Sequence, residues 1–320
     1  MIQSTRSRIL SVGCAVPPKI LTNKDLEKFL DTSDEWIVKR TGIKQRHIVG
    51  KDETVHTYDL GAQAAKEALI KAGLTKDDVD GIICATFTPD YFFPSTACKI
   101  QAALGCMNAF AFDVSAACSG FVYALSVAHA MIVAGSCKTV LVVGAEIASK
   151  TLDWTDRSTS ILFGDGAGAV VLQATEENGK GVLSTYLKSD GSLGDILYLP
   201  AWGEKRFMKM NGNEVYKHAV RMMGEAIKIC LSQVGLEIEQ IDLLVPHQAN
   251  MRIIQAISAH LKVPMDKIIC NMDRFSNTGS ASIPLALQDA WTAGRIKDGA
   301  LVVFVALGGG LASGSVAVRF

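Results

Sequence analysis

The feature that most constrains the fold is a sequence pattern that recurs 162 residues further along the chain. A-G-L-T-K-D-D-V-D-G-I-I at residues 72–83 aligns with V-G-L-E-I-E-Q-I-D-L-L-V at residues 234–245, so that Gly73 pairs with Gly235 (235 − 73). Hydrophobic strands resemble one another by chance. A single register that links helix, turn and strand favours an internal duplication instead.

Apolar strands alternate with amphipathic helices in both halves. Residues 57–72 predict a clear amphipathic helix. A strand pair is expected around residues 161–172, and residues 140–143 align with 301–303 two residues out of step with the main repeat. Other strands are predicted at residues 9–16, 80–86, 109–114, 139–144, 242–245 and 300–307. This order predicts an α/β fold with a mostly parallel sheet flanked by helices.

Composition excludes several classes of protein. The chain has 320 residues, and its 32 basic residues balance its 32 acidic ones. No overall field therefore attracts nucleic acid or an anionic membrane. The eight cysteines form no C-x-x-C pair, which argues against a metal site and favours the reduced thiols of a cytoplasmic protein. The apolar runs at 9–16 and 300–307 are too short to span a membrane.

Residues 112–120, F-D-V-S-A-A-C-S-G, place Cys118 where a strand turns sharply into a helix that ends at Gly135. Free N–H groups at a helix start favour a thiolate, so we expect an activated nucleophile. Ala116, Ala117, Ser119 and Gly120 are small and leave room for another group. The alternative is a thiol that is simply packed in the core.

The repeat also predicts which loops face each other. The position that matches Cys118 is Ser280 (118 + 162), in a loop at residues 277–282. His247 follows the strand at 242–245, at the type of strand end where α/β folds place their chemistry. We therefore expect Cys118 to face His247 and an asparagine, either Asn250 or Asn277; a helix cap is the alternative role for Asn277.

Two glycine-rich segments are open to functional interpretation. Residues 308–310 are G-G-G and follow the last predicted strand. They form either a tight turn or a loop whose N–H stabilises an oxyanion together with the Cys118 N–H. G-D-G-A-G at residues 164–168 precedes a strand-like A-V-V-L, so it does not predict a dinucleotide loop.

Taken together, the motifs resemble one family along the whole chain. D-T-S-D-E-W-I-V-K-R-T-G-I, A-A-C-S-G, F-G-D-G-A-G-A, P-H-Q-A-N-x-R, an N-T loop and a terminal G-G-G occur in the order found in 3-oxoacyl-[acyl-carrier-protein] synthase III. These are thiolase-like condensing enzymes. The resemblance implies a duplicated αβαβα layered architecture with pseudo-twofold-related halves: residues 1–174 carry the nucleophilic Cys, and residues 175–320 carry the catalytic His and Asn.

The resemblance also implies a reaction. Cys118 takes an acyl group from a short acyl-CoA, and His247 and Asn277 stabilise the enolate that forms when malonyl-acyl carrier protein loses carbon dioxide. The N–H groups of Cys118 and Gly309 form the oxyanion hole. The products are a 3-oxoacyl-acyl carrier protein, CoA and carbon dioxide, which initiates fatty-acid synthesis. The acyltransferase implied in this way needs no metal or redox cofactor.

Binding residues follow from the same resemblance, which further implies a homodimer. Phe93 limits the acyl pocket, across a dimer contact in many members of the family. The CoA-binding set is Thr32, Trp36, Arg40, Arg157 and Asn250. The carrier-protein set is Gln248, Ala249, Asn250, Met251, Arg252, Lys217 and Arg221. For the charged members of the carrier set, a solvated face explains the sequence equally well.

The chain departs from the family pattern at two places. The usual Gly before the catalytic Asn is Ser276 here, and Gly279 replaces the usual Ser after Thr278. The usual Thr-Trp after the glycines is Ala312-Ser313, and we expect these smaller side chains to change the wall of the acyl or pantetheine channel.

Three other functions remain open from the sequence. The first is a related condensing enzyme of secondary metabolism, and the second is a Cys-His-Asn acyl-CoA thioesterase. The third is a carrier-binding scaffold without turnover.

Overall fold

The computed structural model describes residues 6–204 and 206–320. The first half of the chain gives, in order, β1 Arg6–Ala15, β2 Ile20–Thr22, α1 Asn23–Leu26, α2 Asp34–Thr41, β3 Gln45–His47, α3 Thr57–Ala72, β4 Gly81–Ala85, α4 Thr96–Leu104, β5 Phe110–Val114, α5 Gly120–Val133, β6 Thr139–Ile147, α6 Arg157–Ser160 and β7 Asp165–Thr175. The predicted helix at residues 57–72 is confirmed.

The second half follows the same order without a strand equivalent to β5. It contains β8 Gly181–Ser189, β9 Leu197–Tyr198, β10 Lys209–Met210, α7 Gly212–Ser232, β11 Leu243–Pro246, α8 Met251–Leu261, α9 Met272–Phe275, α10 Ser282–Thr292, β12 Leu301–Gly308 and β13 Ala312–Arg319. One large sheet has the strand order β1-β7-β6-β4-β5, and the other has the order β11-β12-β13-β8.

Three apolar cores lie between five layers, and the central core covers both sides of the middle helix layer. On β6, Val140 and Val142 face a central core that also contains residues of α5 and α10, while Leu141 and Val143 face an outer core with α3 and α4. The strands of the second sheet alternate in the same way, and α7 and α8 cover its outer face. This alternation is the period-two pattern of a strand that is buried on both faces. The layers are therefore helix, sheet, helix, sheet, helix.

The two halves match position by position. A 3₁₀ turn at Ala117–Ser119 (the Cys118 turn) leads into α5, and a 3₁₀ turn at Gly279–Ala281 (the Ser280 turn) leads into α10. The strand pairing Gly81↔Val140 recurs as Leu243↔Val302, again 162 residues on (243 − 81 and 302 − 140). The expected two-residue slip between these strands is therefore wrong.

An aspartate fixes the start of one strand pair in each half. Asp80 accepts a hydrogen bond from Thr139 N at 2.9 Å and donates its own N–H to Thr139 O at 2.9 Å. Asp242 does the same with Leu301, at 2.8 Å and 3.0 Å. The two carboxylates thus hold parallel strands in equivalent registers, and the aligned aspartates of the sequence repeat have a structural reason.

Both large sheets are mixed, so the expected mostly parallel sheet is wrong. Strands β4, β5 and β6 pair in parallel, as do β11 and β12, whereas β7 and β13 run antiparallel to their neighbours. The glycine turn after β12 sends the chain straight back as a hairpin. That direction requires antiparallel pairing.

Two further expectations need correction. The strand expected at 109–114 is β5, but it lies at a sheet edge and is only half-buried, whereas a buried strand was expected. The strand pair expected at 161–172 is a single strand, β7, preceded by an isolated bridge between Phe163 and Asn277.

Among the described residues, the search for a helix long and apolar enough to cross a bilayer finds none.

We predict that Asp80→Ala and Asp242→Ala each lower the free energy of unfolding by about 1–2 kcal/mol, because each leaves a strand N–H without its carboxylate partner. Urea unfolding checks this. Asp52→Ala, at an exposed loop position, is the control. Losses no larger than that of the control would contradict a shared role for the two aspartates.

Candidate active site

Cys118 lies in a turn that is packed too tightly for larger side chains. Ala117 adopts φ 46°, and the turn leads directly into α5. A Cβ on Gly308, at the end of β12, would lie 2.7 Å from Cys118 N. The second half therefore approaches the backbone of the Cys118 turn directly. The small residues of A-A-C-S-G are needed for this approach.

The thiol is buried, and its ionisation differs from the expectation. Burial raises the pKa of Cys118 to about 12, and the nearby Glu146 adds to the rise. The expected stabilised thiolate is therefore wrong: desolvation outweighs the favourable field of the helix start. Cys118 rests as a thiol, so its attack as a nucleophile requires that the proton leave the sulfur.

His247 follows β11, and its backbone N–H donates to Val305 O at 2.8 Å. Its Nδ1 lies 2.7 Å from Ser282 Oγ, which also accepts from Gln248 N at 3.4 Å. When Ser282 donates its proton to Nδ1, the neutral ring carries its own proton on Nε2. Burial lowers the pKa of His247 to about 4, so the ring is neutral at neutral pH.

Asn277 is held by backbone on both sides. Its N–H donates to Leu162 O at 2.9 Å, and its carbonyl accepts from Gly164 N at 3.0 Å. Its side-chain Oδ1 accepts from Gly279 N at 2.9 Å, which leaves the Nδ2 amide as the available donor. The F-G-D-G-A-G-A motif thus supports Asn277, and it leads into β7, as the sequence predicted.

Ser276 adopts φ 57° and ψ −158°, a region that is essentially restricted to glycine. The departure from the family's usual glycine therefore falls on a position that still has the glycine conformation. Such a conformation costs about 1–3 kcal/mol for a residue with a Cβ. The loop keeps its shape, and the surrounding backbone hydrogen bonds hold Asn277 in place despite the strain.

The three predicted catalytic side chains line one cavity of about 300 Å³. Cys118 comes from the first half, and His247 and Asn277 come from the second. A larger cavity of about 1200 Å³ also reaches Cys118 and is lined by Gly309. Cys118 is thus accessible from two directions.

Most of the predicted nucleotide contacts lie at the outer end of the smaller cavity, which Trp36, Arg40 and Asn250 line. The guanidinium groups of Arg40 and Arg157 lie 4.6 and 4.9 Å from the centre of the Trp36 ring. A flat base could stack between Trp36 and Arg157 only after that guanidinium moves. Thr32 lines neither cavity.

The predicted carrier-protein residues fall into two groups. Arg252 is exposed and lies 5.6 Å from the Tyr216 ring, while Lys217 pairs with Glu214 at 2.7 Å and Arg221 lies 4.0 Å from Glu225. Ala249 and Met251 are half-buried.

Gln248 is wholly buried. Its Nε2 donates to Pro246 O and Ile269 O, and its Oε1 accepts from Asn271 N. The expected carrier contact for Gln248 is therefore wrong, because its amide is fully used inside the protein.

Phe93 is 87% exposed and lines neither cavity within this chain, whereas Phe92 lines the larger one; the expected role of Phe93 across a dimer contact stays a prediction. The expectation for two other residues differs from the structure. Ala312 and Ser313 are buried in β13 and lie outside the lining of both cavities. The wall expected from these two residues is therefore wrong; the carbonyl of Ala312 instead accepts from Ser119 Oγ at 2.6 Å.

Sequence reasoning missed Ser282 as the partner of His247. The repeat was the available signal, because it placed residues 277–282 opposite Cys118. It could not show which hydroxyl in that loop meets the imidazole.

Comparisons with known proteins agree along the chain. Residues 112–191 match the family 3-oxoacyl-[acyl-carrier-protein (ACP)] synthase III, and residues 231–320 match its C-terminal part. A beta-ketoacyl-[acyl-carrier-protein] synthase III of Ehrlichia canis is 51% identical over 318 residues, covering 98% of this chain and 99% of that protein.

Solved structures show the same likeness. The crystal structure of 3-oxoacyl-[acyl-carrier-protein] synthase III from Aquifex aeolicus matches with a TM-score of 0.94 and 46% identity, covering 98% of this chain and 100% of that one. The priming beta-ketosynthase of the R1128 polyketide pathway matches with a TM-score of 0.92 and 33% identity, covering 98% and 96%. The fold is thiolase-like, and the chain belongs to the 3-oxoacyl-[acyl-carrier-protein] synthase III family.

Proposed function

We propose that the chain condenses a short acyl-CoA, acetyl-CoA in the first instance, with malonyl-acyl carrier protein through Cys118, His247 and Asn277. The observation that carries these roles is that the three side chains line one cavity although they come from different halves. Acyltransfer follows from membership of the family.

In the first step, the Cys118 sulfur attacks the thioester carbonyl of acyl-CoA, and the thiol proton passes to the CoA sulfur. The tetrahedral intermediate places its oxyanion against the N–H groups of Cys118 and Gly309. It then collapses to the acyl-enzyme, and the CoA thiolate leaves with the proton. His247 keeps its own proton on Nε2 in this step, because burial lowers the pKa of the ring to about 4 and disfavours the imidazolium.

In the second step, the malonyl thioester carbonyl accepts hydrogen bonds from His247 Nε2–H and Asn277 Nδ2. These donors stabilise the enolate as carbon dioxide departs, each by on the order of 3 kcal/mol. The carbanion attacks the acyl-Cys118 carbonyl and releases the Cys118 thiolate, which takes a proton from water. Decarboxylation supplies the carbanion without a strong base.

The remaining assignments complete the proposal. CoA adenine stacks on Trp36 near Arg40 and Arg157, with Thr32 and Asn250 near the nucleotide. Ala249, Asn250, Met251, Arg252, Lys217 and Arg221 meet the acidic carrier protein. The halves divide at residues 174 and 175, and the protein acts in the cytoplasm.

We further propose that the enzyme is a homodimer in which Phe93 closes the partner's acyl cavity. Its 87% exposure supports this role, and the half-buried strand β5 leaves a sheet edge open for a partner.

A second candidate is a priming condensation in secondary metabolism. The likeness to the R1128 beta-ketosynthase favours it, because that enzyme shares the fold over nearly the whole chain. Fatty-acid and polyketide priming differ in the carrier protein and in the starter chain, which neither cavity determines by residue type.

We predict that a mixture of acyl-CoAs adds one acyl group to the protein, on Cys118, and that Cys118→Ala abolishes the addition. Intact-protein mass spectrometry followed by peptide mapping checks this and reports the preferred chain. Cys98→Ser, a free cysteine on α4, is the control and should acylate normally. Acylation that survives in Cys118→Ala would contradict the proposal.

The same reaction separates condensation from hydrolysis. A condensing enzyme releases free acid slowly from acyl-CoA and forms the 3-oxoacyl product only when malonyl-acyl carrier protein is added. Rapid release of acid without malonate would identify a thioesterase. An absence of acyl-enzyme would identify a scaffold.

We predict that Ser282→Ala lowers the condensation rate about tenfold, because the Nδ1–H form of His247 becomes populated and Nε2 loses its donor proton. Steady-state assays with malonyl-acyl carrier protein check this. Ser232→Ala removes an exposed hydroxyl at the end of α7 and is the control. An unchanged rate in Ser282→Ala would show that Ser282 does not set the tautomer.

A further inference from the structure

Glu146, near the end of β6, is wholly buried behind the catalytic cavity. Its Oε2 lies 2.7 Å from Thr88 Oγ1, and 3.1 Å from both Thr86 Oγ1 and Phe87 N. Its Oε1 lies 2.6 Å from Ser280 Oγ. Across residues 6–204 and 206–320, no Lys, Arg or His forms an ion pair with this carboxyl.

The hydroxyl of Ser280 cannot satisfy both of its neighbours if Glu146 is ionised. Ser280 Oγ lies 2.9 Å from Ala85 O and 2.6 Å from Glu146 Oε1. A carbonyl and a carboxylate both only accept, and a serine has one proton to donate. If the carboxyl keeps its proton on Oε1, it donates to Ser280 Oγ, and Ser280 in turn donates to Ala85 O.

The other contacts fit the same arrangement. Thr88 Oγ1 accepts from Ile147 N at 2.9 Å, and Thr86 Oγ1 accepts from Thr88 N at 3.0 Å. Both threonine protons are therefore free to reach Oε2. Burial without a cation raises the pKa of Glu146 to about 7, in agreement with a retained proton.

We propose that Glu146 is a positioning residue that acts as a neutral carboxylic acid, whose proton bridges to Ser280 and holds the Ser280 turn against the first half. Gly279 N donates to Asn277 Oδ1, so a bridge that holds the Ser280 turn also holds the side-chain amide of Asn277 in position. The catalytic meaning rests on the proposed function, whereas the position of the proton does not.

A neutral Glu146 also adds no negative charge that would raise the pKa of the Cys118 thiol further. The titratable groups that face Glu146 are Cys118, from the Cys118 turn, and Cys84, from β4; a negative charge on Glu146 raises the pKa of both. The carboxylate of Asp90 accepts from the backbone N–H groups of Thr57 and Tyr58. The carboxylate of Asp165 accepts from those of Val49 and Ser149. The Ser280 turn contributes a hydroxyl and no charge.

Glu146→Gln tests the proton directly, because its amide NH₂ donates to Ser280 as the carboxylic acid does. An acid whose pKa is raised by folding stabilises the protein at low pH and loses that contribution as pH rises to its folded pKa. Between pH 4.5 and about 7, the unfolding constant of the unsubstituted protein should therefore rise about 80-fold relative to that of Glu146→Gln. A ratio independent of pH would overturn the proposal. Glu239→Gln, at an exposed position, is the control and should give a flat ratio.

Ser280→Ala tests the direction of the bridge. Titration of the full chain labelled with ¹³C-glutamate follows the Glu146 carboxyl by NMR, even if Glu146→Gln does not fold. If the carboxyl donates to Ser280, Ser280→Ala removes an acceptor and lowers the titration midpoint. If Ser280 donates to a carboxylate, the midpoint rises, and the proposal is wrong.

Alkylation of Cys118 by iodoacetamide reports on the site itself. In the unsubstituted protein the rate should rise less than tenfold per pH unit around neutrality, because ionising Glu146 opposes the thiolate. Glu146→Gln should restore the full tenfold slope. Equal slopes would refute the effect on Cys118. These experiments use no acyl-CoA or carrier protein, so their results do not depend on whether the condensation assay succeeds.

Discussion

The close approach of two backbone turns is the constraint on which the site depends. The Ser280 turn packs so near β6 that a Cβ on Gly144 would lie 2.5 Å from Ser280 O, and one on Gly308 would lie 2.7 Å from Cys118 N. These glycines let the two halves meet through main chain instead of through side chains. Main-chain contact leaves little freedom for relative movement, so groups from separate halves hold a fixed geometry. A catalytic pair divided between two duplicated units requires such a fixed geometry.

The fold was largely readable from the sequence, because duplication leaves a register. Gly73 and Gly235 aligned at the same offset that relates the two turns and the helices α5 and α10. The strand directions were not readable, since an apolar strand has the same pattern whether its neighbour is parallel or antiparallel. The predicted alignment of residues 140–143 with 301–303, two residues out of step with the repeat, was wrong for a related reason. Runs of Val and Leu align equally well in several registers, and hydrogen bonding selects one.

The site was predictable to the level of residue type and position. Cys118, His247 and Asn277 could be placed together, because motifs at strand ends converge when the halves pack. Their ionisation could not be predicted, because the field of a helix start is visible in the sequence and the extent of burial is not. Gln248 illustrates the same limit. Its place in the P-H-Q-A-N motif suggested a binding surface, whereas its amide is used to hold neighbouring loops together.

Neutrality at rest unites the chemistry of the site. Burial keeps Cys118 as a thiol and His247 as a neutral ring, and the proposed proton keeps Glu146 uncharged. In the proposed reaction, the negative charge that develops on an enolate or a tetrahedral oxyanion then meets oriented N–H dipoles in a medium of low dielectric, where such dipoles act strongly. A permanent carboxylate beside Cys118 would oppose the same charge. A preference of the site for transient over resting charge is therefore consistent with the burial of its acid–base groups.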